Sequence, residues 1–220
     1  MSKDLEVPKE TGKDHFHTII KTALGEVPLA GGALAELFSA IIESPFQRRK
    51  KEWMQNVVEA INELKEKGFS PDDLKENEQF ISAVFYASHL AMKTHQQEKL
   101  DALRNAIINV AEGVEPDEAL QQIFLNYIDQ FTLLHIKLLR FALERNVSDS
   151  VYMSSLKSIL LDMHPELSTK ESLVELVWKE LYTGGLVTHN SLAGTLSNNG
   201  LRQKLTTTMG DRFVKFIKKR

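Results

Sequence analysis

The chain has 220 residues, 42% hydrophobic and 26% charged, with a net charge of −3 and no cysteine. That balance fits one large or two small globular domains and excludes a disordered chain. The missing thiols exclude disulfide bonds, thiol catalysis and cysteine-ligated zinc, and they suit a reducing cytoplasm.

Residues 1–13 read as a polar, flexible tail without the apolar core of a signal peptide. A short helix is predicted over His15–Leu24, stopped by Gly25. The next helix opens at Pro28 and runs to Ile42 through PLAGGALAELFSAII. Its polar positions Gly32, Glu36, Ser39 and Glu43 form one narrow stripe, so neighbours should nearly enclose it. At 1.5 Å per residue it spans about 22 Å, short of the roughly 30 Å of a bilayer core. Four consecutive cations follow: Arg48, Arg49, Lys50 and Lys51.

Ser44-Pro45 is predicted to restart the chain as a helix to about Lys67, with Phe46, Trp53 or Met54, Val57, Ile61 and Leu64 at helical spacing. Ser70-Pro71-Asp72-Asp73 signals a new helix start, and Phe80, Ile81, Val84, Phe85 and Ala87 follow on one buried face. A further helix from about Gln96 carries Leu100, Leu103, Ile107 and Val110 and closes at Gly113. Pro116-Asp117-Glu118 starts another, with Ile123, Phe124, Tyr127 and Ile128. No segment before residue 130 alternates with period two, so this half reads as a helical bundle.

The second half begins with a helix capped by Thr132. A short helix around Leu156–Leu160 breaks at Met163-His164-Pro165. A third, Ser172–Tyr182, is capped by Ser168 or Thr169 and stopped by Gly184-Gly185. Two strands are expected at Leu186–Thr188 and Lys204–Thr208, joined by a flexible stretch from Asn190 to Gly200. Met209-Gly210 turns into a last helix with Phe213, Phe216 and Ile217. Three helices, a ribbon and a closing helix is the order of a winged helix-turn-helix. The segment KLTTTMGDRFVKFI resembles the last wing strand and closing helix of such domains.

Three segments, PLAGGALAELFSAII, ASHLAMKTHQQEKLDALRNAIINVA and YIDQFTLLHIKLLRF, resemble a group of bacterial proteins. That group joins a Gly-rich N-terminal helical bundle to a winged-helix tail. The resemblance implies architecture and a cytoplasmic location; it implies no activity and no functional residue. The expected fold is all-α, mainly a helical bundle, with a small two-stranded β-ribbon. The tail covers 1–13, the bundle 14–128 and the winged-helix-like domain 129–220. Core positions are expected at Trp53, Phe80, Phe85, Phe124, Leu134, Leu139, Leu176, Phe213 and Phe216.

Chemistry is sparse. The seven histidines are scattered, no His-Glu-x-x-His occurs, and neither a P-loop nor a nucleophile elbow is present. The chain is therefore read as a non-enzyme without metal, cofactor or small-molecule substrate. Residues 1–120 carry 14 Lys+Arg and 21 Asp+Glu, whereas residues 121–220 carry 13 and 9. A winged helix-turn-helix invites nucleic-acid binding, with Arg202, Lys204, Arg212 and Lys215 as phosphate contacts. The reading helix, however, carries Lys170 and Lys179 against Glu171, Glu175 and Glu180, and DNA affinity needs cations. Arg48, Arg49, Lys50 and Lys51 are candidate contacts for a membrane surface or a partner. The leading expectation is an interaction or scaffold protein that binds a partner or itself. A DNA-binding regulator and a membrane-acting effector using the 28–42 helix are the alternatives.

Overall fold

The computed structural model describes residues 31–115 and 117–219, and for residues 31–40 and 42–44 it describes the backbone alone. The tail, the His15–Leu24 helix and Pro28 lie outside these residues. The chain divides into two compact units, Met1–Lys50 and Lys51–Arg220.

The first described helix, α1 (Gly31–Glu66), runs unbroken through Pro45. This corrects the predicted restart at Ser44-Pro45. Proline has helical φ already; it removes one N–H donor and crowds one carbonyl, and a long helix can continue past it. Ile41, in the stretch expected to be enclosed, is exposed. The neighbouring side chains of that stretch lie outside the described residues.

Within Lys51–Arg220, α1 turns Trp53, Val57, Ala60 and Leu64 inward, an i, i+4, i+7, i+11 stripe. Gly68, at φ 94°, takes the left-handed turn that ends this run. Ser70 then caps α2 (Pro71–Glu76), accepting from the Asp73 N–H at 3.0 Å. Asn77 caps α3 (Glu78–Lys93), and a short link leads to α4 (Gln97–Ala111). Asp117 caps α5 (Glu118–Gln130) and Thr132 caps α6 (Leu133–Leu143).

The second half differs from its predicted ribbon. The two-stranded sheet pairs β1 (Met153–Ser155) with β2 (Thr195–Ser197), antiparallel, Ser154 opposite Leu196. The expected strands at Leu186–Thr188 and Lys204–Thr208 meet only at a Val187–Thr206 bridge. Helix signals truncate both ladders. Ser155 caps α7 (Leu156–Met163), and Ser197 caps the short α9 (Asn198–Arg202) inside the stretch expected to be flexible. Thr207 caps α10 (Thr208–Ile217), so Met209-Gly210 lie within a helix rather than at a turn. Between α7 and α8 (Glu171–Thr183) runs a 3-10 helix, Pro165–Lys170. Lys170 stands at the start of α8 without a side-chain cap, in place of the predicted Ser168 or Thr169.

The closing helix α10 packs on α4, far back in the sequence. The Phe124 ring lies 5.4 Å from the rings of both Phe213 and Phe216. Asn109, buried on α4, donates to the carbonyls of Phe216 at 2.7 Å and Lys218 at 3.1 Å, and Asn105 donates to that of Ile217 at 3.0 Å. Two asparagines one turn apart thus cap the C-terminal end of α10. The predicted boundary near residue 128 falls inside this single unit.

Seven of the nine expected core positions face inward, with Leu134 half-buried. Phe85 and Leu176 are exposed. Each sits on a helix whose apolar residues outnumber its inward positions, so periodicity alone could not choose among them.

Candidate interaction surface

The four C-terminal cations expected to hold a phosphate backbone do not form one free positive face. Arg202 donates to the Val147 carbonyl at 2.9 Å and pairs with Asp149. Lys204 pairs with Asp211, which also accepts from Thr206 Oγ1 at 2.6 Å. Arg212 grips Glu115 through Nε, 2.6 Å from Oε2, and through Nη2. Glu115 is only 2% exposed. The hydrogen bond that Arg212 donates to this carboxylate, followed by the charge of Glu115 and Asp117, raises the Arg212 pKa above its ordinary value. Lys215 is exposed.

Helix α8, where the sequence led us to expect DNA-reading contacts, has a similar economy. Val174, Val177, Trp178 and Leu181 face the core. On one flank Glu171 and Glu175 share Lys157 of α7, the latter at 3.0 Å. Those hydrogen bonds raise the Lys157 pKa. On the other flank Leu173, Leu176 and Glu180 recur at i, i+3 and i+7 on one stripe. Leu173 is 47% and Leu176 53% exposed. Glu180 turns from this stripe to accept from His135 Nε2 of α6 at 2.8 Å.

His135 has a structural task. Its Nδ1 accepts from the Thr132 N–H at 3.1 Å, closing a capping box in which histidine stands where Glu or Gln is usual. Its ring stacks on Phe131 at 4.6 Å, which stacks on Tyr127 at 4.8 Å. Burial lowers the imidazole pKa, and Glu180 only partly opposes this. The Thr132-x-x-His135 spacing was readable as a cap; the partner Glu180, 45 residues later, was not.

The other buried polar side chains are also committed to the fold. Gln121 donates to the Glu115 carbonyl at 2.6 Å, and the half-buried Arg145 donates to the Ala142 carbonyl at 3.2 Å while lying over the Phe141 ring. The hollow lined by Glu63, Asn105, Ile108, Asn109, Lys218 and Lys219 has no room for a water molecule. Among the described residues no group of three or more His, Cys, Asp or Glu is placed to hold a metal ion. Among the described residues no helix is long and apolar enough to cross a membrane. At the other end of the chain Arg48, Lys50 and Lys51 are exposed and Arg49 is half-buried, all on α1.

No protein-family model, curated protein or solved structure matches this chain. The surface chemistry alone must therefore carry the functional reading. What it offers is an exposed leucine stripe on α8.

Proposed function

We propose that this chain is a non-enzymatic interaction protein of the bacterial cytoplasm, binding a partner protein or a second copy of itself. The observation that carries the reading is the α8 stripe, where Leu173 and Leu176 stand exposed beside Glu180. Exposed leucines three residues apart on a rigid helix are anchors for an apolar partner surface. They contribute nothing to phosphate binding, which needs cations free to displace counterions. Arg202, Lys204 and Arg212 each have a carboxylate partner within the chain. The bacterial and cytoplasmic setting follows from the resemblance of three segments and from the lack of cysteine.

The test begins with sedimentation of the wild type and of Leu173→Glu/Leu176→Glu over a concentration series, followed by cross-linking in cell extract. The double variant should keep its circular dichroism and lose either self-association or the cross-linked partner. Duplex DNA at low salt should show no retardation. Salt-dependent retardation that weakens on Arg202→Ala, Lys204→Ala and Arg212→Ala would overturn the reading in favour of a DNA-binding regulator.

A further inference from the structure

Three lysines among the described residues are half-buried: Lys99 on α4, Lys137 on α6 and Lys157 on α7. Their partners differ in kind. Lys137 Nζ holds the Glu166 carboxylate at 2.8 Å, and Lys157 Nζ holds those of Glu171 and Glu175 at 2.5 and 3.0 Å. A carboxylate stabilises the ammonium form and keeps the amine protonated. Lys99 Nζ instead donates to a main-chain oxygen, the Asp129 carbonyl, at 2.8 Å. The Asp129 carboxylate goes to Lys93 of α3, at 2.7 Å.

Lys99 is therefore held in place without a carboxylate of its own. The charged groups around it are Asp129 from α5 and Lys93 from α3, and the charge of Lys99 reaches His135 of α6. Burial pushes the Lys99 amine below its ordinary pKa; the Asp129 charge opposes this shift and the Lys93 charge adds to it. A partly buried amine that sheds its proton readily is a nucleophile.

The surroundings select the reaction. Asp129 is the second-last residue of α5, so its carbonyl has no partner inside the helix and needs an outside donor. An amide formed on Nζ keeps one N–H for that carbonyl, whereas a neutral imine formed with an aldehyde keeps none. Acylation thus preserves the contact that imine formation would break. Lys93 narrows the reagent. Its side chain is 51% exposed and meets the same aspartate, so an anionic leaving group finds a cation beside the amine. We propose that Lys99 is a site of acylation by small acyl phosphates. The Nζ lone pair bonds to the acyl carbon, and the bond from that carbon to the phosphate oxygen breaks. Phosphate leaves with the electron pair beside the Lys93 ammonium, and the proton released from nitrogen passes to water. The product is a neutral amide, one positive charge fewer beside the end of α5. The argument uses no residue of the α8 stripe, so either assignment can fail without the other.

The experiment treats the folded full chain with acetyl phosphate at about pH 8, where ordinary lysines are mostly protonated, and follows each lysine by peptide mass spectrometry. Lys99 is expected to gain its acetyl group at least about threefold faster than Lys137 and Lys157, which share its half-buried setting. In guanidinium chloride the three should react alike. Trace labelling with acetic anhydride over a pH series should place the Lys99 midpoint below those of Lys137 and Lys157. Lys93→Gln/Asp129→Asn removes the neighbouring cation without releasing a carboxylate to Lys99. It should slow the acyl phosphate reaction at Lys99 and leave the anhydride reaction unchanged, with circular dichroism as in the wild type. The proposal is overturned if Lys99 reacts no faster than the other two, if its midpoint is not the lowest, or if its lead persists in the denatured chain. It is equally overturned if the double variant changes both reactions alike or neither, because Lys93 would then not select a phosphate leaving group.

Discussion

Arg212 and Glu115 illustrate how a single pairing can redirect the reading of a residue. In the chain they are 97 positions apart, and Arg212 belongs to a run of cations that invites a nucleic acid. In the fold the carboxylate is buried and the guanidinium, partly in solvent, closes over it. The two ends of this pair are therefore unequal. Removing the arginine strands a buried charge, whereas neutralising the acid leaves a guanidinium that water can still reach. Thermal unfolding should show Arg212→Ala losing more stability than Glu115→Gln; the reverse order would mean that Glu115 is hydrated in solution. Gly210 is fixed for a different reason. A Cβ there would come within 2.1 Å of the Leu186 carbonyl oxygen, a backbone atom that cannot swing aside. Gly210→Ala should therefore cost about 2 kcal/mol or more in chemical denaturation, by overpacking α10 against its neighbour. Asn109→Ala should cost about 1–3 kcal/mol, because it leaves the last carbonyls of α10 without their buried donor.

At the scale of elements, α6 and α8 are joined by the packing of Phe141 on Trp178 and by one imidazole. His135 accepts at Nδ1 and donates at Nε2, an arrangement that requires the neutral ring. Burial keeps its pKa below the unfolded value of about 6.5. A histidine whose folded pKa is depressed stabilises the fold fully above its unfolded pKa. That contribution is lost as pH falls below about 6.5, because the unfolded chain then binds the proton first. The melting temperature should drop between pH 7 and pH 5, and His135→Gln should flatten that slope. An unchanged slope would place the sensitivity elsewhere. The same scale shows what could be read from the chain. Caps at Ser70 and Thr132, the stops at Gly68, Gly113 and Gly184-Gly185, and the break at Met163-His164-Pro165 are local signals, and each stands where the sequence placed it. The ribbon was misplaced because three-residue strands carry too little alternation to compete with the Ser-capped helix starts beside them. Pro45 misled because its cost to a helix is real but affordable.

At the scale of the molecule, the join between α4 and α10 matters most. The sequence legibly divides near residue 128, where composition and connectivity change, yet Lys51–Arg220 is one compact unit. Across that division Phe124, Phe213 and Phe216 share a core and Asn109 holds the far end of α10, contacts of about a hundred residues' separation that no local pattern announces. A fragment of residues 51–128 should therefore lack a cooperative unfolding transition, while residues 51–220 should unfold in one step by both fluorescence and circular dichroism. Two separate transitions would restore the two-domain division. The candidate surface was even less legible. Leu173 and Leu176, like Phe85, look like core in one dimension, and only the packing of their neighbours leaves them outside.

The late arrival of α10 has a consequence for synthesis. When α4 and α5 leave the ribosome, the residues that will cover Phe124 and satisfy Asn109 have yet to be translated. The nascent protein must wait, with a greasy face uncovered and a polar one unanswered, until almost a hundred further codons are read. Holding factors that shield such faces should decide its yield in the cell more than any weakness of the finished fold.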